Sequence, residues 1–276
     1  MAYPVISAPY GLKPINLIGG QVFAGSTREY PIANGYNTNI FYGDCVGLSR
    51  GNLQRVTVET GTEGSLVGVF LGCSFTNPVT KQKQFTQYWP AGTAAGDAVA
   101  IVSDDPDAVF KVAVCSAGTT IASGARAMIG QNLAMINNAG LTSTGDSRNA
   151  ALAPDNTPAT TAALPLRVLG LVPDTVVSLG SATFTSIATA TVTCSALPFA
   201  LPVGTDVGSL DSNGNYIPSG SFVDTAASAG ATSFVLNQAP STAFAASATL
   251  VFNQFPEILV KFNHGQHEYY YATATA

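Results

Sequence analysis

Charge is what this sequence has least of. Asp, Glu, Lys and Arg together make up 10% of its 276 residues, against about a quarter in an average soluble domain. Ser, Thr, Asn, Gln and Gly must therefore cover most of the surface. A surface of that kind suits an extracellular protein or part of a large assembly better than a free cytosolic enzyme. Cations are scarcest, with eleven Lys and Arg against sixteen Asp and Glu and a net charge of -5. So few cations, thinly spread, form no basic stripe to displace counterions from a phosphate backbone, and nucleic acid is not an expected partner.

Groups that titrate or coordinate are equally sparse. The two histidines, His264 and His267, stand three apart in NHGQHEYYY. On a strand that spacing sends them to opposite faces, and the HExxH pattern of a zinc protease is absent. The four cysteines at 45, 73, 115 and 194 form no C-x-x-C pair, which removes zinc-ribbon and thioredoxin readings and leaves buried thiols acting as small hydrophobes. There is no G-x-S-x-G elbow, no Walker A loop and no G-x-G-x-x-G opening a strand-to-helix unit. Asp104, Asp105 and Asp107, and the run DSNGN at 211–215, read as solvated turns, the second having Phe222 where a calcium loop would place its last acidic ligand. No catalytic, cofactor-binding or metal-ligating residue is assigned, no cofactor is expected, and the chain is not read as an enzyme.

Long apolar runs are missing too. No stretch of about eighteen uninterrupted apolar residues occurs, so no membrane span is expected. The opening MAYPVISAPYGLKP lacks a basic region followed by an apolar one, so no secretory signal is expected either. Without that route to an oxidising compartment, a disulfide framework is not expected.

What is present is period-2 alternation. Asp44–Ser49, Leu53–Glu59, Leu66–Ser74, Lys83–Trp89, Ala98–Ser103, Ala108–Cys115, Leu166–Val172, Ala190–Cys194, Ser233–Leu236, Ala248–Phe252 and Ile258–Phe262 all read as strands. Turn residues separate them, as at Asn34-Gly35, Asn77-Pro78 and Asn213-Gly214. GDCVGL at 43–48 and GDAVAI at 96–101 echo one another, each a Gly-Asp turn feeding an apolar strand. Residues 124–137 could be a short helix or a strand, with Gly130 against the helix. Residues 142–163, polar and rich in Ala, Thr and Pro, read as a mobile surface loop. The expected fold is all-β, a barrel or sandwich.

The composition changes after Pro173-Asp174-Thr175. From residue 176 to 254 the only charged residues are Asp206, Asp211 and Asp224, and PEILVKFNH then resumes the ordinary alternation. The simplest account is a small β-sandwich, 176–254, inserted in a loop of a main domain formed by 1–175 and 255–276. The two chain ends are candidate contact surfaces. Pro9, Tyr10, Leu12 and Pro14 lie in a Pro- and Gly-broken run that reads as an extended arm laid on another surface or on its own domain, and Tyr269, Tyr270 and Tyr271 bring aromatic bodies with polar tips.

GLKP at 11–14, REYPIA at 28–33, NIFYGDCV at 39–46, GVFLGC at 68–73, QYWPAG at 87–92, LRVLGLV at 166–172 and ILVKFNHGQHE at 258–268 resemble the capsid decoration (cement) proteins of short-tailed bacteriophages. Residues 190–207, 217–226, 230–243 and 248–252 are similar to small β modules added to phage virion proteins. The resemblance implies a structural virion protein on the outer surface of the capsid, a homotrimer at local three-fold positions that binds the major capsid protein and stabilises the lattice, with the inserted module projecting. On this reading the N-terminal arm supplies the shell contact. Alternatives are another virion component, such as a tail or fibre protein, or a carbohydrate-binding or adhesive module.

Overall fold

The computed structural model describes residues 6–57, 66–153, 162–186, 189–210, 220–239 and 249–270. It is all-β, with 49% strand and 5% helical residues, the latter in short 3-10 turns. The first part of the chain forms β1 (Lys13–Leu17), β2 (Arg28–Pro31), β3 (Ile40–Phe41), β4 (Cys45–Ser49), β5 (Asn52–Arg55), β6 (Gly68–Thr76), β7 (Lys83–Thr86), β8 (Tyr88–Trp89), β9 (Val99–Ser103) and β10 (Ala108–Ala117). It continues with β11 (Thr120–Ile121), β12 (Asn132–Leu133), β13 (Met135–Ile136), β14 (Ala150–Leu152) and β15 (Leu166–Leu171). Then come β16 (Val177–Ser186), β17 (Thr191–Cys194), β18 (Asp206–Leu210), β19 (Val223–Thr225), β20 (Ser233–Leu236), β21 (Thr249–Gln254) and β22 (Glu257–Phe262).

The longest sheet runs β12-β15-β22-β10-β14-β13, with β1 and β11 also on β10, and is nearly closed into a barrel. β10 can serve so many neighbours because its halves face different ones. Residues 108–113 lie between β1 and β22, and Val114 and Cys115 pair with β14, the one parallel partner. Alternation does the sorting: Phe110, Val112 and Val114 of β10 meet Val260 and Phe262 of β22 and Leu166 and Val168 of β15 in one core. A second sheet, β2-β9-β6-β4-β5 with β7 on β6, packs Phe70, Phe75 and Trp89 in another, the Trp89 indole N–H donating to the Tyr36 carbonyl at 3.1 Å.

β15 and β22 are antiparallel neighbours, Arg167 opposite Lys261 and Leu171 opposite Ile258. The strands described between them form a third sheet, β18-β21-β16-β17-β20-β19, with its own core. Its first and last strands pair, Val177 opposite Gln254, so the chain enters and leaves side by side. This sheet is fastened to the rest. Phe222 reaches from it into the barrel core, Ser123 N–H donates to Val203 at 3.1 Å, and Gly124 N–H donates to Phe255 at 2.7 Å.

Some expectations need correction. In the stretch read as a surface loop, Ser147, Asn149, Ala150 and Ala151 are fully buried and β14 runs parallel to β10. On its other edge β14 pairs antiparallel with β13, Ala151 opposite Met135, and the Ser147 and Asn149 side chains bond the buried Asp44. Residues 154–161 lie outside the described set. Residues 124–137 are neither one helix nor one strand: a 3-10 turn at Arg126–Met128 is followed by β12 and β13, because Gly130 takes a φ of +85°. Asp104 is buried and paired rather than solvated.

Candidate interaction surface

The N-terminal run predicted as an arm is built into the fold. Pro9 and Leu12 are buried, Leu12 inside the barrel core, and Pro14 is half-buried at the start of the β1–β10 pair. Gly11 has a φ of +80°, and a Cβ there would stand 2.6 Å from the Gly43 carbonyl oxygen, so glycine alone fits. Gly11 N–H donates to Asn149 and Leu12 N–H to Gly43, each at 3.0 Å. The Tyr10 hydroxyl donates to the buried Glu257 carboxylate, which also pairs with Lys111 at 3.3 Å. Burial, and then the Glu257 carboxylate, push the Tyr10 phenol far above its ordinary range. The conflict between prolines and apolar side chains is resolved inside this chain, because Leu12 loses all its water contact there. Pro9 and Leu12 consequently offer a partner no surface in this conformation.

The C-terminal aromatics stand differently. Tyr269 and Tyr270 are 45% and 41% exposed, while Tyr271 lies outside the described residues. After β22 the chain crosses to the second sheet, where Leu66 N–H donates to Gln266 at 3.2 Å and Glu268 N–H to Leu66 at 2.8 Å. There the Tyr269 hydroxyl donates to Asp104 Oδ2 at 2.5 Å and the Tyr30 hydroxyl donates to the same oxygen at 2.9 Å. Arg28 pairs with that carboxylate at 3.1 Å and covers the Tyr269 ring at 5.6 Å. Burial raises the Tyr269 phenol, and Asp104 adds to it. His267, buried beside this cluster, accepts the Tyr269 N–H on Nδ1 at 3.3 Å, and burial lowers its pKa against the opposing pull of Asp104. His264 stacks on Tyr270 with centroids 4.2 Å apart. Among the described residues no three His, Cys, Asp or Glu are grouped to hold a metal.

Apolar side chains in contact with water are found elsewhere. Val22 is 79% exposed on the turn after β1, flanked by Ile15 and Ile18, and Leu17 N–H closes that turn on Gln21 at 2.8 Å. Val79 is 85% and Phe85 79% exposed on the β6–β7 hairpin. Sequence reasoning passed over these residues, yet a signal existed: in KQFT the exposed positions are Lys83 and Phe85, so Phe85 shares the face of a lysine.

The two Gly-Asp echoes feed strands of one sheet but serve opposite ends. Asp44 is fully buried, pairs with Arg55 at 2.9 Å, and accepts from Ser147 at 2.6 Å, Asn149 at 3.1 Å and Phe41 N–H at 2.9 Å. Burial raises its pKa despite the Arg55 charge. Asp97 is on the surface, where the Thr76 N–H, the Thr76 hydroxyl and Lys83 hold its carboxyl below the ordinary range. The four cysteines are buried and unpaired, and burial pushes the Cys115 thiol up to about 11.

No family model, curated protein or solved structure matches this chain.

Proposed function

We propose that this chain is a structural virion protein that binds the outer surface of a phage head through the major capsid protein and stabilises the capsid lattice, as a homotrimer, acting by contact and not by catalysis. The observation that carries the reading is the exposure of Val22, Val79 and Phe85 on two hairpins, the three large apolar side chains most open to water among the described residues. Large apolar side chains left in water, in a chain so poor in charge, suit a protein that functions in an assembly. The family resemblance of the sequence supports the choice of assembly. A protein that binds the assembled shell and not its free subunits stabilises the shell by mass action, and three linked copies multiply a modest contact. The shell contact then falls to these hairpins and not to Pro9 or Leu12.

Light scattering on the purified chain followed by co-sedimentation with undecorated phage heads tests this. A trimer that pellets with heads, and a Val79→Ser/Phe85→Ser or Ile18→Ser/Val22→Ser variant that stays folded but remains in the supernatant, is the expected outcome. A monomer that ignores heads overturns the reading and moves the chain to a tail component or an adhesive module.

A further inference from the structure

The outward face of the barrel sheet carries more cations than the carboxylates paired with them. Alternation sends Leu166, Val168, Val260, Phe262, Phe110 and Val112 into the core, and the residues between them lie on the sheet's other side, where Arg167 is exposed and Lys13, Lys111 and Lys261 are half-buried. On that face Arg167 of β15 stands directly opposite Lys261 of β22, and Lys13 of β1 directly opposite Lys111 of β10. Four of the chain's eleven cations thus meet in two like-charged cross-strand pairs, although like charges directly opposed weaken a sheet.

Two carboxylates answer four cations. Lys111 pairs with buried Glu257 at 3.3 Å and Lys261 with Asp107 at 3.5 Å. Among the described residues Lys13 and Arg167 are in no ion pair: Lys13 lies 4.6 Å from the Tyr10 ring centroid, and exposed Arg167 donates from Nε to Asn132 at 3.1 Å. In a chain whose net charge is -5, this face is locally positive. Leu259 stands opposite Lys111 and exposed Leu169 lies on the same strand as Arg167, so apolar surface is interleaved with the cations.

We infer that this face docks a protein segment that carries carboxylates interleaved with apolar side chains. The positive excess selects an anionic partner. The interleaved leucines, and the carboxylates of Asp107 and Glu257 beside the lysines, favour a protein over a phosphate backbone, whose binding rests on several uncompensated cations. Arg167 presents a planar donor fork suited to a carboxylate. The inference uses a different face from the exposed hairpins and does not depend on the reading of the chain as a head protein.

The test is fluorescence anisotropy with the full chain at low salt and two labelled probes, a peptide of repeating Glu-Glu-Leu and an oligothymidylate. The expected result is that the peptide binds, that salt weakens it, and that Arg167→Glu and Lys13→Glu each weaken it by about tenfold or more. Each swap places opposite charges across the strand pair; Arg167→Glu also gives up the bond to buried Asn132 and should melt lower than Lys13→Glu, and either one alone decides the matter if the other does not fold. Absence of peptide binding, or equal binding by the folded variants, overturns the inference. Tighter binding of the oligothymidylate, lost in the same variants, overturns it in favour of nucleic acid.

Discussion

The barrel and its companion sheet, up to residue 172 and again from 257, and the sheet between 177 and 254 are built mainly from antiparallel strand pairs, yet they hold themselves together by different means. In the former, Asp44, Glu257 and Asp104 are withdrawn from water and each is answered by a cation and by hydroxyl or amide donors. The latter relies on apolar packing, with Phe252 edge-on to both Phe199 and Phe234 at centroid distances of 5.7 and 5.5 Å. Its half-buried Asp206 has its carboxyl raised by burial and is opposed by Arg126, which belongs to the barrel. A region that buries charge is specified by its pairings and damaged by losing one of them; a region that buries mostly apolar side chains is damaged by voids.

The largest effect should come from breaking the buried charge. Asp44→Ala orphans Arg55, Ser147, Asn149 and the Phe41 N–H together, and about 5 kcal/mol should be lost in urea unfolding. In the other region Phe252→Ala leaves a cavity and should cost about 4 kcal/mol, with no change in the pH dependence of stability. If it changes that dependence, the comparison is wrong. Tyr269→Phe removes one hydrogen bond to a charged acceptor and should cost about 1.5 kcal/mol, read as faster proteolysis near the C-terminus.

Acid should separate the regions further. Burial holds the His267 pKa below its ordinary 6.5, so its contribution is present above that value and is lost as pH falls through the lowered one. The Glu268 amide should lose its hydrogen-exchange protection in that window before the β16–β21 amides do, and His267→Gln should abolish the difference. The smallest effect is on stability at the hairpin: Phe85→Ser should change it by less than about 0.5 kcal/mol, because that side chain is already in water.

The strands were legible where alternation was strong. Ser233–Leu236 is the strand expected, and β4, β9, β10, β15 and β22 differ from expectation only at their ends. β16 was not legible because VSLGSATFTS is mostly small and polar and has no clear period, and β1 was not because Pro14 and its neighbours suggested irregular chain. The exposed hairpins were half-visible: Phe85 alternates with Lys83, but exposure depends on what lies across the sheet.

By itself the sequence determined the all-β class, the change of composition at 176 and 254, and the scarcity of titrating groups, because period, turn chemistry and composition are local properties. Only the tertiary structure decided that Leu12 is core, that Asp44 is buried while its echo Asp97 is not, and that Arg167 faces Lys261. Each of those depends on contacts between residues far apart in the chain, and register and burial are set by the partner strand as much as by the residue itself.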